Sequence, residues 1–301
     1  MTPEEWWKNF ALNREIDTSG TFIYNAIRAL EELESFQHPV DTFEVLYSLA
    51  IGIERLAKIA VILIEHKGSS DIEALEKSLI THNTLELVNR VSAQRKMNIQ
   101  KQSREFLALL AKFYKTHRYD RFSLSSVPNI EKEKKEYLSF LDKHLNLNLS
   151  SLGDFDLVPN TDQIRRFTGR VVSKITSQIF DIIKEETRRL NIYTTEIRGD
   201  SKALKVFYGD RLDFIDERYI RKEILLYLIS EKANGEHCEL MKSVEPLDLD
   251  QGLLPSYIQA LLNDRKVTYV SDEVNDLYLE IDDVKKRIAF LDAIDCEYLS
   301  Y

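Results

Sequence analysis

Residues 45–66 read VLYSLAIGIERLAKIAVILIEH, and their apolar side chains recur at helical spacing over a wide arc. The arc is formed by Leu46, Leu49, Ile53, Leu56, Ile59, Ala60 and Leu63. A helix with so broad an apolar face is buried on most of its sides. This stretch therefore predicts the central helix of a helical protein.

Helical spacing continues on both sides of this stretch and predicts a bundle over residues 1–150. Helices are expected near 3–15, 17–36, 40–66, 71–94, 100–117 and 130–145. Pro39, Pro128 and the run Gly68-Ser69-Ser70 separate them. Short connections between consecutive helices favour an up-and-down arrangement.

Residues 145–162, LNLNLSSLGDFDLVPNTD, are rich in Asn, Ser, Asp and Pro and predict a domain boundary. A long connecting helix should follow, with Ile164, Phe167 and Val171 opening an apolar stripe that packs on the bundle or on a second subunit. A homodimer is therefore expected.

The rest of the region 160–301 is predicted to be α-rich, with helices near 217–232, 250–263 and 280–294. A small β-hairpin is expected at 266–281, with strands Val267–Val270 and Leu277–Ile281. The predicted fold class is mainly α. Helices followed by a hairpin would suit a DNA-binding winged helix, but residues 223–301 hold seven basic and 17 acidic side chains. A balance of −10 repels a phosphate backbone.

Several chemistries are excluded by spacing. The nine glycines are never close enough together to form a phosphate-cradling loop, and no two of the six histidines stand one helical turn apart. No metal site and no cofactor is predicted. The chain has only two cysteines, and its N-terminus is acidic with paired tryptophans. Its apolar runs are far shorter than the ~20 residues of a membrane span. These features favour a cytoplasmic protein without a membrane partner.

The strongest local charge lies in residues 90–121, where nine basic side chains face two acidic ones in a protein of net charge −9. A balance of +7 predicts a surface for phosphates or for an acidic partner. Aromatic side chains interleave with the cations, as in proteins that bind single-stranded nucleic acid. The candidate nucleic-acid-binding residues are Arg104, Lys112, Lys115, Arg118, Tyr119 and Arg121. Cations that stabilise a helix C-terminus are the alternative interpretation of part of this cluster.

A second segment, LITHNTLEL at 79–87, places His82 at a helix start. Asn83 is expected to cap the helix, with Glu86 reaching back to the amide of the cap in a capping box. This arrangement leaves His82 without a structural role.

The sequence Gly52-Ile53-Glu54-Arg55-Leu56-Ala57-Lys58, followed by Thr81-His82-Asn83 and then the Arg-Tyr cluster, resembles the HEPN superfamily of nucleotide-binding helical bundles over about residues 17–145. The resemblance implies a four-to-five-helix bundle, often dimeric and in prokaryotes frequently part of toxin–antitoxin or phage-defence systems. It also implies, for active members, RNA cleavage at an Arg-x(4-6)-His motif.

This chain departs from that motif. No histidine has an arginine five to seven positions before it, and Arg118 and Arg121 follow His117 instead of preceding it. The sequence therefore favours a non-catalytic binding module that contacts RNA or a partner protein through its basic face. A metal-independent endoribonuclease toxin with a noncanonical His/Arg site is the first alternative. The RNA cleavage that the resemblance implies needs a base near the ribose 2′-hydroxyl, and His82 and His117 are the conditional catalytic candidates for it. A structural or regulatory subunit that acts through the acidic C-terminal region is the second.

Overall fold

The computed structural model describes residues 1–67, 72–117, 131–149, 157–262 and 267–294, with the backbone alone at His117. Within these ranges the protein is mainly α-helical, as predicted. The only strand-type pairing among them is an isolated antiparallel bridge between Ser35 and Pro159.

The first part of the chain forms nine helices over the described residues. They are α1 (Pro3–Trp6), α2 (Leu12–Glu32), α3 (Pro39–Glu65), α4 (Ile72–Ser78), α5 (Thr84–Gln94), α6 (Lys101–Lys112), α7 (Lys132–Leu145), α8 (Asp162–Leu190) and α9 (Lys202–Tyr208). A π-helical turn joins α1 to α2, and a second one, Phe113–His117, continues α6. The single helix predicted over 71–94 is wrong, because Asn83 caps a new helix after α4 has ended.

Helix α3 occupies the centre of the bundle. Leu46, Leu49, Ile53 and Leu56 are completely buried, and α3 packs against α2, α5, α6, α7 and α8. The prediction that this stretch forms the central, mostly buried helix is therefore confirmed.

Glycines set the closest helix approaches. A side chain at Gly52 of α3 would lie 2.6 Å from Ile23 of α2, and the Ser19 hydroxyl donates to the Gly52 carbonyl at 2.8 Å. A side chain at Gly20 would lie 2.4 Å from the Cβ of Ala203 in α9. Each of the two close approaches requires glycine, because any larger side chain at Gly52 or Gly20 would collide with the facing helix.

Helix α8 belongs to the same body as α3. Its stripe of apolar side chains, including Ile164, Val171 and Ile175, is buried in the common core. The stripe therefore packs on the bundle of its own chain, which is one of the two outcomes expected from the sequence. The buried hydroxyls of Tyr137 and Thr168 are hydrogen-bonded at 2.8 Å and tie α7 to α8.

The contacts divide the chain into two units, Met1–Phe214 and Ile215–Tyr301. The sequence analysis placed the division at 145–162. The described helices of the second unit are α10 (Ile215–Leu228), α11 (Glu236–Ser243), α12 (Leu254–Leu262), α13 (Thr268–Tyr278) and α14 (Val284–Asp292). Among its described residues only Ile215 and Ala233 are buried, whereas Ile220, Ile224 and Tyr227 of α10 are each more than half exposed.

The β-hairpin predicted at 266–281 is wrong. Residues of both supposed strands and of the loop between them lie in the helix α13. Its partly buried apolar residues are Val270, Val274, Leu277 and Tyr278, which stand at helical spacing. Their period of 3.6 therefore outweighs the β propensity of the valines and tyrosines.

Candidate nucleic-acid interface

His82 is held by a carboxylate of the central helix. Its Nδ1 lies 3.3 Å from Oε2 of Glu54, and Lys58, one turn further along α3, donates to Oε1 of the same carboxylate at 2.6 Å. The Glu54 side chain is 9% exposed, while that of His82 is 49% exposed. Because a carboxylate only accepts hydrogen bonds, Nδ1 of His82 is the donor in this contact, and Nε2 is the ring nitrogen that the contact leaves unused.

Tyr114 joins the two segments that the sequence analysis singled out. Its ring lies 4.9 Å from the His82 ring, measured between centroids, and it belongs to the π-helical turn that also contains Lys115. The ring of Tyr47 in α3 stacks on that of Tyr114, with 5.9 Å between centroids. His82, just before α5, and the turn that continues α6 therefore lie next to each other, joined by the ring contacts of Tyr114.

The cap of α5 is partly as predicted. The Asn83 side-chain oxygen accepts from the Glu86 amide at 3.3 Å. The return half of the capping box is wrong, because the Glu86 carboxylate accepts from the Asn83 side-chain amide at 3.1 Å and the Asn83 backbone N–H is directed to the Thr81 hydroxyl. The Thr81 hydroxyl therefore accepts from the Asn83 backbone N–H, in place of the Glu86 carboxylate of a capping box.

Three cations of the basic segment are neutralised within the bundle. Arg90 forms a two-pronged pair with Glu65, at 2.8 and 2.5 Å. Lys112 donates to Glu136 of α7 at 2.6 Å. The hydrogen bonds from Arg90 are the largest cause that holds the pKa of Glu65 below its ordinary value.

Arg95 is the third neutralised cation. It donates to the buried carboxylate of Glu186 at 2.5 Å, and Arg189 donates to the other oxygen at 2.7 Å. Burial raises the pKa of Glu186, but the two arginines outweigh burial and leave that pKa below its usual value. Arg95 therefore serves the contact between α5 and α8.

Other cations of the segment remain available. Lys96, Lys101, Arg104 and Lys115 are exposed, and none has an ion-pair partner within the described part of the chain. Lys101 and Arg104 stand one turn apart at the start of α6. Arg118, Tyr119, Arg121 and the side chain of His117 lie outside the described residues. Of the candidates, Arg104 and Lys115 thus present unpaired positive charge, whereas Lys112 is already paired.

A groove of about 520 Å³ runs between α6 and α7. Its lysines outnumber its acids, with Lys112, Lys132, Lys135 and Lys143 against Glu105 and Glu136. Lys143 donates to Glu105 at 2.9 Å and Lys112 donates to Glu136, so both acids of the groove are paired with its lysines. The groove extends the positive surface of α6 but with much of its charge balanced.

The sequence analysis missed a row of cations on α8. Arg166, Arg170 and Lys174 follow one another at intervals of four residues and line a second groove. Lys174 donates to the side chain of Gln100 at 2.9 Å, and Gln100 caps the helix that carries Lys101 and Arg104. The i, i+4, i+8 spacing of these three cations is the signal in the sequence that places them on one face of the helix.

Comparison of the chain with protein-family models, with curated proteins and with solved structures gave no match in any of the three. Across the described ranges, no group of three or more His, Cys, Asp or Glu side chains is arranged to hold a metal ion. No helix in those ranges combines the length and the apolar character of a membrane span.

Proposed function

We propose that the protein is an RNA-binding module whose interface is the exposed side of α6, and that it works without cleaving its ligand. The observation that carries the proposal is the pair Lys101 and Arg104, exposed on one helix and without acidic partners among the described residues. Lys115 adds a third such charge beyond the end of α6.

Unpaired cations bind a phosphate backbone at little cost. A cation that is already paired must give up its carboxylate before it can contact a phosphate, whereas an exposed, unpaired one only releases counterions. Arg104 also offers a planar guanidinium, which can hold a phosphate through two hydrogen bonds or stack on a base.

Fluorescence anisotropy with a labelled single-stranded RNA tests the proposal. The double variant Lys101→Gln/Arg104→Gln is expected to bind at least about tenfold more weakly, because two charge-assisted contacts are lost. The control, Lys77→Gln/Arg198→Gln, removes the same charge from two exposed cations away from α6, which are paired with Glu73 and Asp200 respectively. Equal affinity of wild type and the α6 variant would reject the α6 interface.

One observation favours an endoribonuclease as the second candidate. His82 is half exposed, oriented by Glu54, and adjacent to the turn that carries Lys115. This pairing of a histidine with an orienting carboxylate suits general base catalysis at a ribose hydroxyl.

Denaturing gels of RNA incubated with the protein in EDTA separate the two functions. Intact RNA supports the binding module. Cleavage that persists in EDTA and disappears in His82→Ala supports the nuclease, and cleavage that survives His82→Ala together with His117→Ala excludes both histidines.

The setting we propose is a prokaryotic defence or stress system, which follows from the HEPN resemblance of residues 17–145. Toxin–antitoxin pairs and phage defence are the particular settings that it implies. A regulatory role for the acidic second unit is the remaining alternative, and lack of any RNA interaction would favour it.

Self-association is a separate part of the proposal. The α8 stripe on which the homodimer prediction rested is covered inside the bundle, so a dimer must use other surfaces. Light scattering during size-exclusion chromatography tests this directly, and a monomer mass at all concentrations would remove the dimer from the proposal.

A further inference from the structure

The second groove lies between α8 and the segment 210–213, entirely within the first unit. Its volume is about 580 Å³. It is lined by Arg166, Arg170, Ser173, Lys174, Asp210, Arg211, Leu212 and Asp213. This volume is within the range of small-ligand pockets in proteins.

The wall opposite α8 is fixed in place by the fold. Leu212 and Phe214 are 3% exposed and anchor the segment in the core. Gly169 of α8 lets the backbone approach, because a Cβ at this position would lie 1.9 Å from the Leu212 carbonyl oxygen. The groove is therefore bounded by a helix and by a segment that is held against it through buried side chains.

The charges on the helix wall are not satisfied by the protein. Arg166 and Arg170 are exposed and make no hydrogen bond or ion pair with any described residue. Lys174 is bonded to the neutral amide oxygen of Gln100 and so keeps its full charge. Like charges one turn apart repel each other, and a bound anion relieves that repulsion.

We propose that this groove binds the terminal phosphate of a nucleotide. Four cationic and two acidic side chains line it, which gives a formal charge of +2. A phosphomonoester carries about −1.5 to −2 at pH 7, whereas a phosphodiester within a strand carries only −1, so the groove favours a terminal phosphate. Arg166 and Arg170 would each donate to phosphate oxygens, and the Ser173 hydroxyl lies on the same wall.

The phosphate has two sources, the end of an RNA strand and a free nucleotide. The first source rests on the proposed function, since Lys174 of the groove is bonded to Gln100, the residue that directly precedes Lys101 of α6. The second is independent of it.

The experiment measures binding of four probes by the full chain. They are two RNAs of one sequence with a 5′-phosphate or a 5′-hydroxyl, adenosine 5′-monophosphate, and adenosine. Wild type is expected to prefer at least one phosphate-bearing probe over its unphosphorylated counterpart, RNA or adenosine, by about tenfold or more. Arg166→Gln/Arg170→Gln should lose this preference. Arg188→Gln/Arg198→Gln, with the same loss of charge elsewhere, should retain it. Thermal melts establish that all variants are folded.

Each outcome decides the proposal. Preference for phosphorylated RNA that disappears in the groove variant identifies a strand end, and binding of the mononucleotide that disappears identifies a free nucleotide. No gain from the terminal phosphate, or an unchanged gain in the groove variant, overturns the proposal. The α6 variant separates the two interfaces. Loss of RNA affinity there without any phosphate preference upholds the proposed function alone, whereas nucleotide binding without RNA binding upholds the groove alone.

Discussion

At the scale of single residues, His66 is the side chain with the clearest energetic consequence. It is 2% exposed at the end of α3, its ring lies edge-on to Trp7 at 5.5 Å, and neither ring nitrogen has a partner among the described residues. Burial lowers the pKa of His66, and the nearby charge of Lys8 lowers it further, against a smaller opposite effect of Glu4. The folded state therefore disfavours the protonated form of this imidazole.

This burial predicts a loss of stability in mild acid. The unfolded chain takes up a proton as the pH falls below about 6.5, while the folded chain resists, so the free energy of unfolding decreases by at most ~1.4 kcal/mol per pH unit. His66→Phe keeps an aromatic ring against Trp7 and should lose less stability than wild type between pH 8 and pH 5.5. Urea unfolding at the two pH values measures this, with the exposed His38→Gln as control. Identical losses in wild type and His66→Phe would contradict the assignment.

Glu186 allows a matched test of a buried carboxylate against an exposed one. Glu186→Gln removes the charge that Arg95 and Arg189 share, and it should lower the free energy of unfolding by about 2 kcal/mol. Glu185→Gln changes the adjacent, exposed position and should stay within about 0.5 kcal/mol of wild type. Chemical denaturation measures both, and similar losses for the two variants would show that the pairs add little.

The candidate residues illustrate what the sequence can supply at this scale. Asn83 as a cap followed from residue type and spacing. The partners of His82 did not, because Glu54 is 28 positions away and is brought near only by the packing of α5 on α3. The pairing of Lys112 with Glu136 likewise needed the register of two helices, which local spacing does not encode.

At the scale of elements, the contact between α8 and the 210–213 segment depends on a missing side chain. Gly169→Ala gains up to about 1 kcal/mol in helix propensity, but overpacking against a backbone carbonyl costs about 1–3 kcal/mol. We expect the clash to prevail, with a lower melting temperature and weaker phosphate binding. Gly199→Ala is the control, since no atom lies within 4 Å of its added methyl. A Gly169→Ala protein as stable as wild type would mean that residues 210–213 can move away from α8 at little cost in free energy.

The elements also mark where sequence patterns are decisive. The arc on α3 and the stripe on α8 predicted long buried helices because many positions agree on one period. The hairpin prediction at 266–281 relied on valine and tyrosine, which favour strands. In the helix that forms at 268–278, Val270, Val274 and Leu277 instead share one side. Local propensity and period conflicted there, and the period prevailed.

At the scale of the whole molecule, the two units differ in how much they bury. Most of α3 is inaccessible, whereas the described residues of the second unit include only two buried side chains. Regions with few buried contacts open at a small fraction of the global unfolding free energy.

Hydrogen exchange should therefore be fast in α10 and slowest in α3. Exchange is measured by mass spectrometry at two protein concentrations. Protection of α10 that rises with concentration would indicate that a second copy covers this helix. Equal protection of α10 and α3 at low concentration would contradict the difference between the units.

The central claim is that unpaired cations on α6 contact RNA phosphates, and the salt dependence of RNA binding tests it most directly. For single strands, the slope of log K against log salt is about −0.7 per phosphate contact, so Lys101→Gln/Arg104→Gln should make the slope shallower by about 1.4. Lys77→Gln/Arg198→Gln should leave it unchanged. A slope that is the same in wild type and in the α6 variant would contradict the claim.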